Sequence, residues 1–267
     1  MQCGAKARMS IDVDQTALSM HNRAMSNGKD ISIQQLKTVC STCSLRELCL
    51  PMGLSQDEVA QLDNLVYTRR RLKRGESLYR AGDEFTSLNA VRTGFFKSTV
   101  VFEDGRDQVT GFHMPGEVMG LDGIGTDRHT VSTIALEDSE VCIIPYSRLE
   151  ELSHQVRSLQ NQFHKMMSRE IVRDQGVMML LGTMRAEERL AAFLLNLSQR
   201  FTARGYSPTE FNLRMTREEI GSYLGLKLET VSRAFSKFQD QGLVAVQQKH
   251  VRIEDPARLR KLLGHEC

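Results

Sequence analysis

The chain has 267 residues, of which 40% are hydrophobic and 25% are charged, as in an ordinary globular protein with one large or two average domains. Its net charge of +2 excludes a polybasic protein, yet residues 183–267 carry 14 Lys and Arg against 10 Asp and Glu. This local excess favours, weakly, a nucleic-acid contact in the C-terminal third.

The N-terminal part of the sequence bears on cellular location. No apolar run approaches the roughly 18 residues that a membrane-spanning helix needs, and the segment Met1–Ser10 lacks the apolar core of a signal peptide. We therefore expect a cytoplasmic protein without a membrane partner, in which cysteines remain reduced. Residues 1–39 are polar and without periodicity, and we predict a mobile tail there.

A cysteine-rich segment at 40–53 follows this tail. It holds three of the six cysteines in the spacing C-x2-C-x5-C, at Cys40, Cys43 and Cys49. A gap of two residues lets neighbouring thiolates reach one metal centre without straining the backbone, and a cubane iron–sulfur cluster requires four thiolates. Cys142 is the best candidate for the fourth ligand, because Cys3 and Cys267 lie at the chain ends, where segments usually fray.

Other uses of these cysteines stay open. Zinc takes the same ligands, but structural zinc sites usually show a second paired-ligand motif, which is not obvious here. Redox-active thiols are a third interpretation. A disulfide framework does not suit a 267-residue chain with few cysteines and no secretory signal. The spacing favours an iron–sulfur cluster over zinc and over redox thiols, but it does not decide among them.

Residues 54–146 carry the pattern of a sensory β-barrel domain. Ser55 and Glu58 form a capping box that begins a short helix. From about residue 66 onward, short apolar runs alternate with glycines, a pattern that predicts an antiparallel barrel or jelly roll. The main runs are Ser87–Val91, Gly94–Phe102, Gln108–Phe112, Thr130–Leu136 and Glu140–Ile144. Cys142 would then lie on the last strand, within reach of a segment packed on the outside of the barrel.

Residues 147–182 predict a long dimerisation helix. Its apolar residues recur at spacings of four and three along a heptad seam, at Leu152, Val156, Leu159, Phe163 and Met166. Beside the continuation of this seam lie Ile171, Asp174 and Met178. Such a stripe pairs most simply with its copy in a second subunit, and the charged Glu170 and Arg173 in the seam make this pairing marginal. The alternative is a helix that packs on the barrel of its own chain.

The C-terminal third, at 183–267, predicts a winged helix–turn–helix domain. Thr216 and Glu219 form a second capping box, Gly225 supplies a tight turn, and a second helix begins near Leu228. The two-stranded wing is predicted at Val244–Val246 and Val251–Ile253. The predicted fold class is therefore α+β: an N-terminal antiparallel β-barrel of the jelly-roll, cyclic-nucleotide-binding-like type, a long dimerisation helix and a C-terminal winged helix–turn–helix.

The second helix of this unit has a polar face at its start, where a recognition helix enters the major groove of DNA. Arg233 can donate hydrogen bonds to guanine O6 and N7, and Glu229 can accept a hydrogen bond from cytosine N4. Ser232 can bond to more than one base and does not discriminate between them. Further candidate DNA contacts are Thr230, Lys237 and, on the preceding helix, Arg217. The alternative is a solvated face on which Glu229 and Arg233 pair at i,i+4, but the preceding helix favours DNA binding.

Several stretches together resemble the CRP/FNR superfamily of bacterial regulators, and within it the oxygen-sensing FNR and Anr type. The resemblance covers about residues 38–265. Besides the cysteine spacing, it rests on Gly111–Glu117 (GFHMPGE), Ala135–Cys142 (ALEDSEVC), Ala186–Phe193 (AEERLAAF) and Leu228–Arg233 (LETVSR). Neither the tail nor Cys3 and Cys267 has a usable match in this family.

The resemblance implies a role for each candidate site. The ligands of a [4Fe–4S] cluster would be Cys40, Cys43, Cys49 and Cys142. The base-reading set E-x-x-S-R, whose usual target is a palindrome of TTGAT and ATCAA half-sites, would be Glu229, Ser232 and Arg233. Ile171 and Asp174 fall on dimer-helix positions, where an acidic group opposes pairing until the cluster is bound. Phe201–Ser207 matches a surface loop through which family members contact RNA polymerase.

The resemblance also implies a mechanism. Without oxygen, the intact cluster would pack the cysteine segment against the barrel and bias the helices at 148–181 toward a homodimer, whose two recognition helices sit one DNA turn apart. Oxygen would destroy the cluster, and the dimer would separate or misalign. We therefore expect a non-enzymatic regulator of transcription in the anaerobic response.

Three rival functions share some of these features. A cyclic-nucleotide regulator would have the same fold without metal. Its phosphate-binding motif is incomplete in this chain: Gly116–Glu117 resembles the start of the phosphate cassette, but the expected Arg–Ser pair is replaced around Arg128–Thr130. A zinc-containing regulator of the same fold would bind DNA regardless of air. An iron–sulfur enzyme or electron carrier lacks support, because the sequence has no H-E-x-x-H, G-x-S-x-G or P-loop motif.

Overall fold

A computed structural model of the chain describes residues 40–65, 68–102 and 105–264. The predicted tail at 1–39, with Cys3, and the C-terminal Cys267 lie outside these ranges. Within the described ranges, no helix is both long enough and apolar enough to cross a membrane.

In the described part of the barrel domain, eight antiparallel strands form the predicted jelly roll. They are β1 (Thr68–Leu72), β2 (Ser77–Tyr79), β3 (Ser87–Thr93), β4 (Phe96–Val101), β5 (Asp107–His113), β6 (Val118–Met119), β7 (Ser132–Ala135) and β8 (Ser139–Pro145). One sheet has the strand order β1-β8-β3-β6 and the other has the order β2-β7-β4-β5. All five predicted apolar runs form strands, which confirms the fold class for this part of the chain.

The N-terminal strand β1 is absent from the sequence prediction, because its sequence, Thr-Arg-Arg-Arg-Leu, has no apolar alternation. It forms because β8 pairs with it, in a register that places Arg69 opposite Cys142. Arg69 also lies 3.7 Å from the carboxylate of Glu140 on β8. Cross-strand pairing thus overrides the local preference of the segment.

The helix before the barrel confirms its predicted capping box. Helix α1 spans Gln56–Asp63. The Glu58 N–H donates to Ser55 Oγ at 3.3 Å, and the Ser55 N–H donates to Glu58 Oε2 at 2.7 Å. These reciprocal bonds satisfy two of the free N–H groups at the start of the helix.

The predicted long helix at 147–182 is in fact two helices, α2 (Tyr146–Gln155) and α3 (Arg157–Thr183). Val156 between them is extended, with φ −114° and ψ 93°, a conformation that suits a β-branched residue. Val156, Leu159 and Phe163 are buried in one core together with Leu88, Val118 and Ile144 of the barrel strands. The prediction of a single exposed seam is therefore wrong for its N-terminal half, which packs on the chain's own barrel.

The C-terminal part forms the predicted winged helix–turn–helix. Its elements are α4 (Ala186–Thr202), β9 (Glu210–Asn212), α5 (Arg217–Leu224), α6 (Leu228–Asp240), β10 (Val244–Gln247), β11 (His250–Ile253) and α7 (Pro256–Lys261). The capping box of Thr216 and Glu219 is present. Gly225 ends α5 at φ +63°, a left-handed conformation that favours glycine. The wing has a third strand, β9, that the sequence does not predict.

This C-terminal domain packs against the barrel through β5. Phe112 on β5 contacts the rings of Phe193 on α4 and Tyr223 on α5, with ring centroids 6.1 and 5.2 Å away. The backbone N–H of Val109 donates to Ser222 Oγ at 2.8 Å. The apolar core therefore runs from the barrel into the helix–turn–helix without interruption.

Candidate metal centre and nucleic-acid interface

The cysteine segment forms a short series of turns. The Cys43 N–H donates to Cys40 O at 3.2 Å, and the Cys49 N–H donates to Leu45 O at 3.0 Å. Asp63, at the end of α1, accepts hydrogen bonds from the backbone N–H groups of Cys40 and Ser41. The three cysteines thus lie on consecutive turns of one segment that α1 anchors.

Cys142 lies in the middle of β8, between Arg69 of β1 and Ala90 of β3. Its side chain lines a mostly apolar cavity that is shared with Cys40, Cys43 and Cys49. All four are half-buried free thiols. The structure therefore brings together the four cysteines that the sequence singles out, although they come from segments about a hundred residues apart.

Burial raises the pKa of three of these thiols, those of Cys40, Cys49 and Cys142. It raises the pKa of the Cys49 thiol to about 12. The pKa of Cys40 is raised further, by burial first and then by Cys49, Asp63, Cys142 and Cys43. Burial also raises the pKa of Cys142, against the opposing effect of Arg92 and Arg69. Reactive redox cysteines have lowered pKa values, which these three thiols do not have; a metal that binds them would have to displace their protons.

The donor set consists of four thiols, which a cubane cluster and a tetrahedral zinc ion both accept as ligands. Among the described residues, no group of three His, Cys, Asp or Glu side chains is arranged to hold a metal ion. In a cubane cluster each thiolate binds a different iron, so four thiolates surround a larger body than tetrahedral zinc. Arg46 and Arg92 also line the cavity, and their positive charges suit the net negative charge of a thiolate-bound cluster.

The recognition helix α6 exposes its polar face. Glu229 and Arg233 are exposed, and Thr230 and Ser232 are half-buried, whereas Val231 on the opposite face is buried. Glu229 and Arg233 stand one helical turn apart on this exposed face. Their exposure is what both a DNA-binding face and a solvated helix face require.

Two further candidate DNA contacts already have partners in the domain. Lys237 Nζ lies 2.7 Å from Oε1 of Glu187 on α4. Arg217 at the start of α5 stacks over the ring of Phe235, with its Cζ 4.5 Å from the ring centroid. These contacts hold both cations against their own domain, so the exposed Glu229 and Arg233 on the first half of α6 are the better-placed candidates for base contacts.

The six candidate dimer residues divide into two sets along α3. Leu159 and Phe163 are buried in the barrel-side core, and Met166 packs partly against it. Ile171 and Met178 are 57% and 64% exposed, and Asp174 is exposed between them. Their neighbours Val172 and Met179, which the heptad pattern does not single out, are also exposed. Only the C-terminal half of α3 therefore offers an apolar stripe to a second subunit.

Two family models match the two halves of this arrangement. Residues 69–155 match the cyclic nucleotide-binding domain, and residues 188–262 match the Crp-like helix-turn-helix domain.

Several curated relatives match along most of their length. The chain is 51% identical to the transcriptional regulatory protein btr of Bordetella pertussis, over 85% of this chain and 94% of the relative. It is 49% identical to the transcriptional activator protein Anr of Pseudomonas protegens, over 84% of this chain and 92% of the relative. It is 46% identical to the fumarate and nitrate reduction regulatory protein of Escherichia coli, over 85% and 90%.

Solved structures show the same architecture. FixK2 from Bradyrhizobium japonicum is similar with a TM-score of 0.69 and 30% identity, over 75% of this chain and 98% of that chain. The c-di-GMP-responsive regulator CLP of Xanthomonas campestris has a TM-score of 0.62 at 22% identity, over 75% of this chain and 100% of that chain. At this identity the similarity is evidence for the fold only. Together with the curated relatives, these similarities show that the chain belongs to the CRP/FNR family of DNA-binding transcriptional regulators.

Proposed function

We propose that this regulator controls the anaerobic response and is switched by oxygen through a [4Fe–4S] cluster held by Cys40, Cys43, Cys49 and Cys142. The observation that carries the proposal is that these four cysteines line one cavity. The similarity to relatives named for fumarate and nitrate reduction and for Anr supports it. When bound, such a cluster supplies an oxygen-labile tie between the cysteine segment and β8.

The cysteine segment contacts both the barrel and α3, the two parts of the molecule through which an oxygen switch would act. A Cβ on Gly116 would lie only 2.8 Å from Leu48 Cβ, so Leu48 packs directly on the loop after β5. Arg169 of α3 donates to Met52 Sδ at 3.8 Å. With the thiolates tied to β8, these contacts hold the segment against α3. Without the tie, the segment is free to leave α3 and weaken its dimer-forming orientation.

The active form in this proposal is a cytoplasmic homodimer on DNA. The stripe around Ile171, Asp174 and Met178 would pair with its copy. Glu229, Ser232 and Arg233 of each subunit would read one half-site of a TTGAT/ATCAA palindrome. Residues 201–207 would contact RNA polymerase, and Tyr206 in this stretch is 60% exposed.

The deciding experiment is anaerobic purification followed by iron and sulfide analysis, visible absorption, and gel filtration before and after air. The proposal expects about four irons per chain, a brown protein that bleaches in air, and a dimer that becomes a monomer. A colourless, zinc-loaded protein of constant size would remove the oxygen switch and leave DNA binding in place.

A further inference from the structure

Arg46, in the middle of the cysteine segment, has a donor without an acceptor. Its Nη2 donates to Leu54 O at 2.8 Å, which fixes the guanidinium across the segment. Its Nε is buried and has no hydrogen-bond partner among the described residues. The neighbouring acid, Glu47, is 76% exposed and its carboxylate lies 3.7 Å from this Nε, beyond hydrogen-bond distance.

An unpaired buried N–H is uncommon in native proteins, because its lost hydration is not replaced. Arg46 lines the same cavity as the four cysteines. Among the described side chains of this cavity, the others are apolar apart from Arg92, itself a donor. Apart from the exposed Glu47 carboxylate, the cysteine sulfurs are therefore the side-chain acceptors near this donor among the described residues, and a sulfur accepts better as a thiolate than as a thiol.

We propose that Arg46 is a positioning residue that donates its Nε–H to a sulfur of the cysteine-bound cluster and thereby slows the loss of the cluster in air. The inference rests on the proposed function, since it requires a cluster in the cavity. Hydrogen bonds to the sulfurs and nearby charge set the potential and stability of such centres. The fixed contact with Leu54 O keeps the guanidinium from turning away into solvent.

The test compares three full-length variants with the unaltered protein under anaerobic conditions. Arg46→Met removes both the charge and the donor. Arg46→Lys keeps the charge and can still reach Leu54 O, but it lacks the planar Nε–H. Asp57→Asn is the matched control, because it neutralises an exposed carboxylate at the start of α1 that does not line the cavity. The readouts are iron and sulfide per chain, the rate of bleaching in air, and the midpoint potential.

We expect Arg46→Met to bleach on the order of tenfold faster, the lower end of what loss of an outer-shell partner costs. Arg46→Lys should also bleach several-fold faster, with a lowered midpoint potential, and Asp57→Asn should match the unaltered protein. If Arg46→Lys keeps the original bleaching rate and potential, the hydrogen-bond inference is wrong, even if Arg46→Met fails to load iron. If the unaltered protein itself holds no cluster, the proposed function is wrong, and this result is distinct from a failure of the Arg46 inference alone.

Discussion

The carboxylate of Glu117 accepts two hydrogen bonds from the guanidinium of Arg200, at 3.1 Å from Nε and 2.7 Å from Nη2. Glu117 follows β5 on the barrel, whereas Arg200 lies on α4 of the DNA-binding domain. Arg204 Nη2 donates to the same carboxylate at 2.7 Å, and Arg173 Nη1 of α3 lies 3.7 Å from it. One largely buried acid therefore joins the barrel, the long helix and the DNA-binding domain.

This junction predicts that Glu117→Gln destabilises the folded chain by roughly 3–5 kcal/mol at neutral pH, because it leaves buried guanidinium groups without their anion. Urea unfolding measures the free energy. Glu254→Gln is the control: it breaks an exposed pair with Arg252 and should cost at most about 1 kcal/mol. Equal losses in the two variants would contradict the role of the buried carboxylate.

The stabilisation that the Glu117 carboxylate provides should depend on pH. Burial alone would raise the pKa of Glu117, but Arg200, Arg173 and Arg204 outweigh it and lower the pKa to about 2 from an ordinary value of 4.5. The ionised carboxylate therefore contributes its full stabilisation above about pH 4.5, and the contribution is lost as pH falls toward 2. The difference in unfolding free energy between the unaltered protein and Glu117→Gln should shrink from pH 7 to pH 3. A difference that does not change with pH would exclude this linkage.

Cys142→Ala tests the fourth ligand. We expect this variant to lose the air-sensitive absorption and its anaerobic DNA affinity, because a cubane cluster needs four thiolates. Its fold should survive, since Cys142 is only half-buried. Cys3→Ala is the matched control and should load iron normally. Normal anaerobic activation of Cys142→Ala, measured by DNA gel shift, would exclude the four-ligand site.

Arg233→Lys tests base reading by α6. Loss of the bidentate grip on guanine should weaken anaerobic binding to a TTGAT/ATCAA palindrome by roughly 1–3 kcal/mol and relax the preference at that base pair. Binding to unrelated DNA should hardly change, because the positive charge remains. Arg148→Met, which alters an exposed arginine on α2 that is paired with Glu151, is the control. A uniform loss across all DNA sequences would assign Arg233 to the phosphate backbone instead.

Asp174→Ala tests the dimer stripe on α3. In the proposed dimer Asp174 would face its copy across a weak apolar interface, so its removal should strengthen self-association in air by on the order of 1 kcal/mol, roughly fivefold in the dissociation constant. Ile171→Glu should weaken the anaerobic dimer, whereas Glu151→Ala on α2 should change neither. Analytical ultracentrifugation measures all three. If Asp174→Ala leaves the aerobic monomer unaltered, another surface carries the dimer.

Much of the fold follows from local sequence. The capping boxes at Ser55 and Thr216 involve residues three apart, so the sequence alone locates both helix starts. The glycine-punctuated apolar runs predict five strands of the jelly roll, and the helix–Gly225–helix unit predicts the DNA-binding domain. The roles of Glu229, Ser232 and Arg233 also follow from one short helix, and they stay predictions until DNA binding is measured.

The sequence by itself therefore determined the family resemblance, most of the element types and the candidate cysteines and base-reading residues, because most of these depend on spacing within short segments. Only the tertiary structure decided that β1 forms from three consecutive arginines, that Leu159 and Phe163 face the barrel, and that Arg46 has an unpaired donor beside the cysteines. It also joined Glu117 to Arg200, 83 residues apart. These features depend on long-range packing, and burial and charge compensation across such distances leave no periodic trace in the sequence.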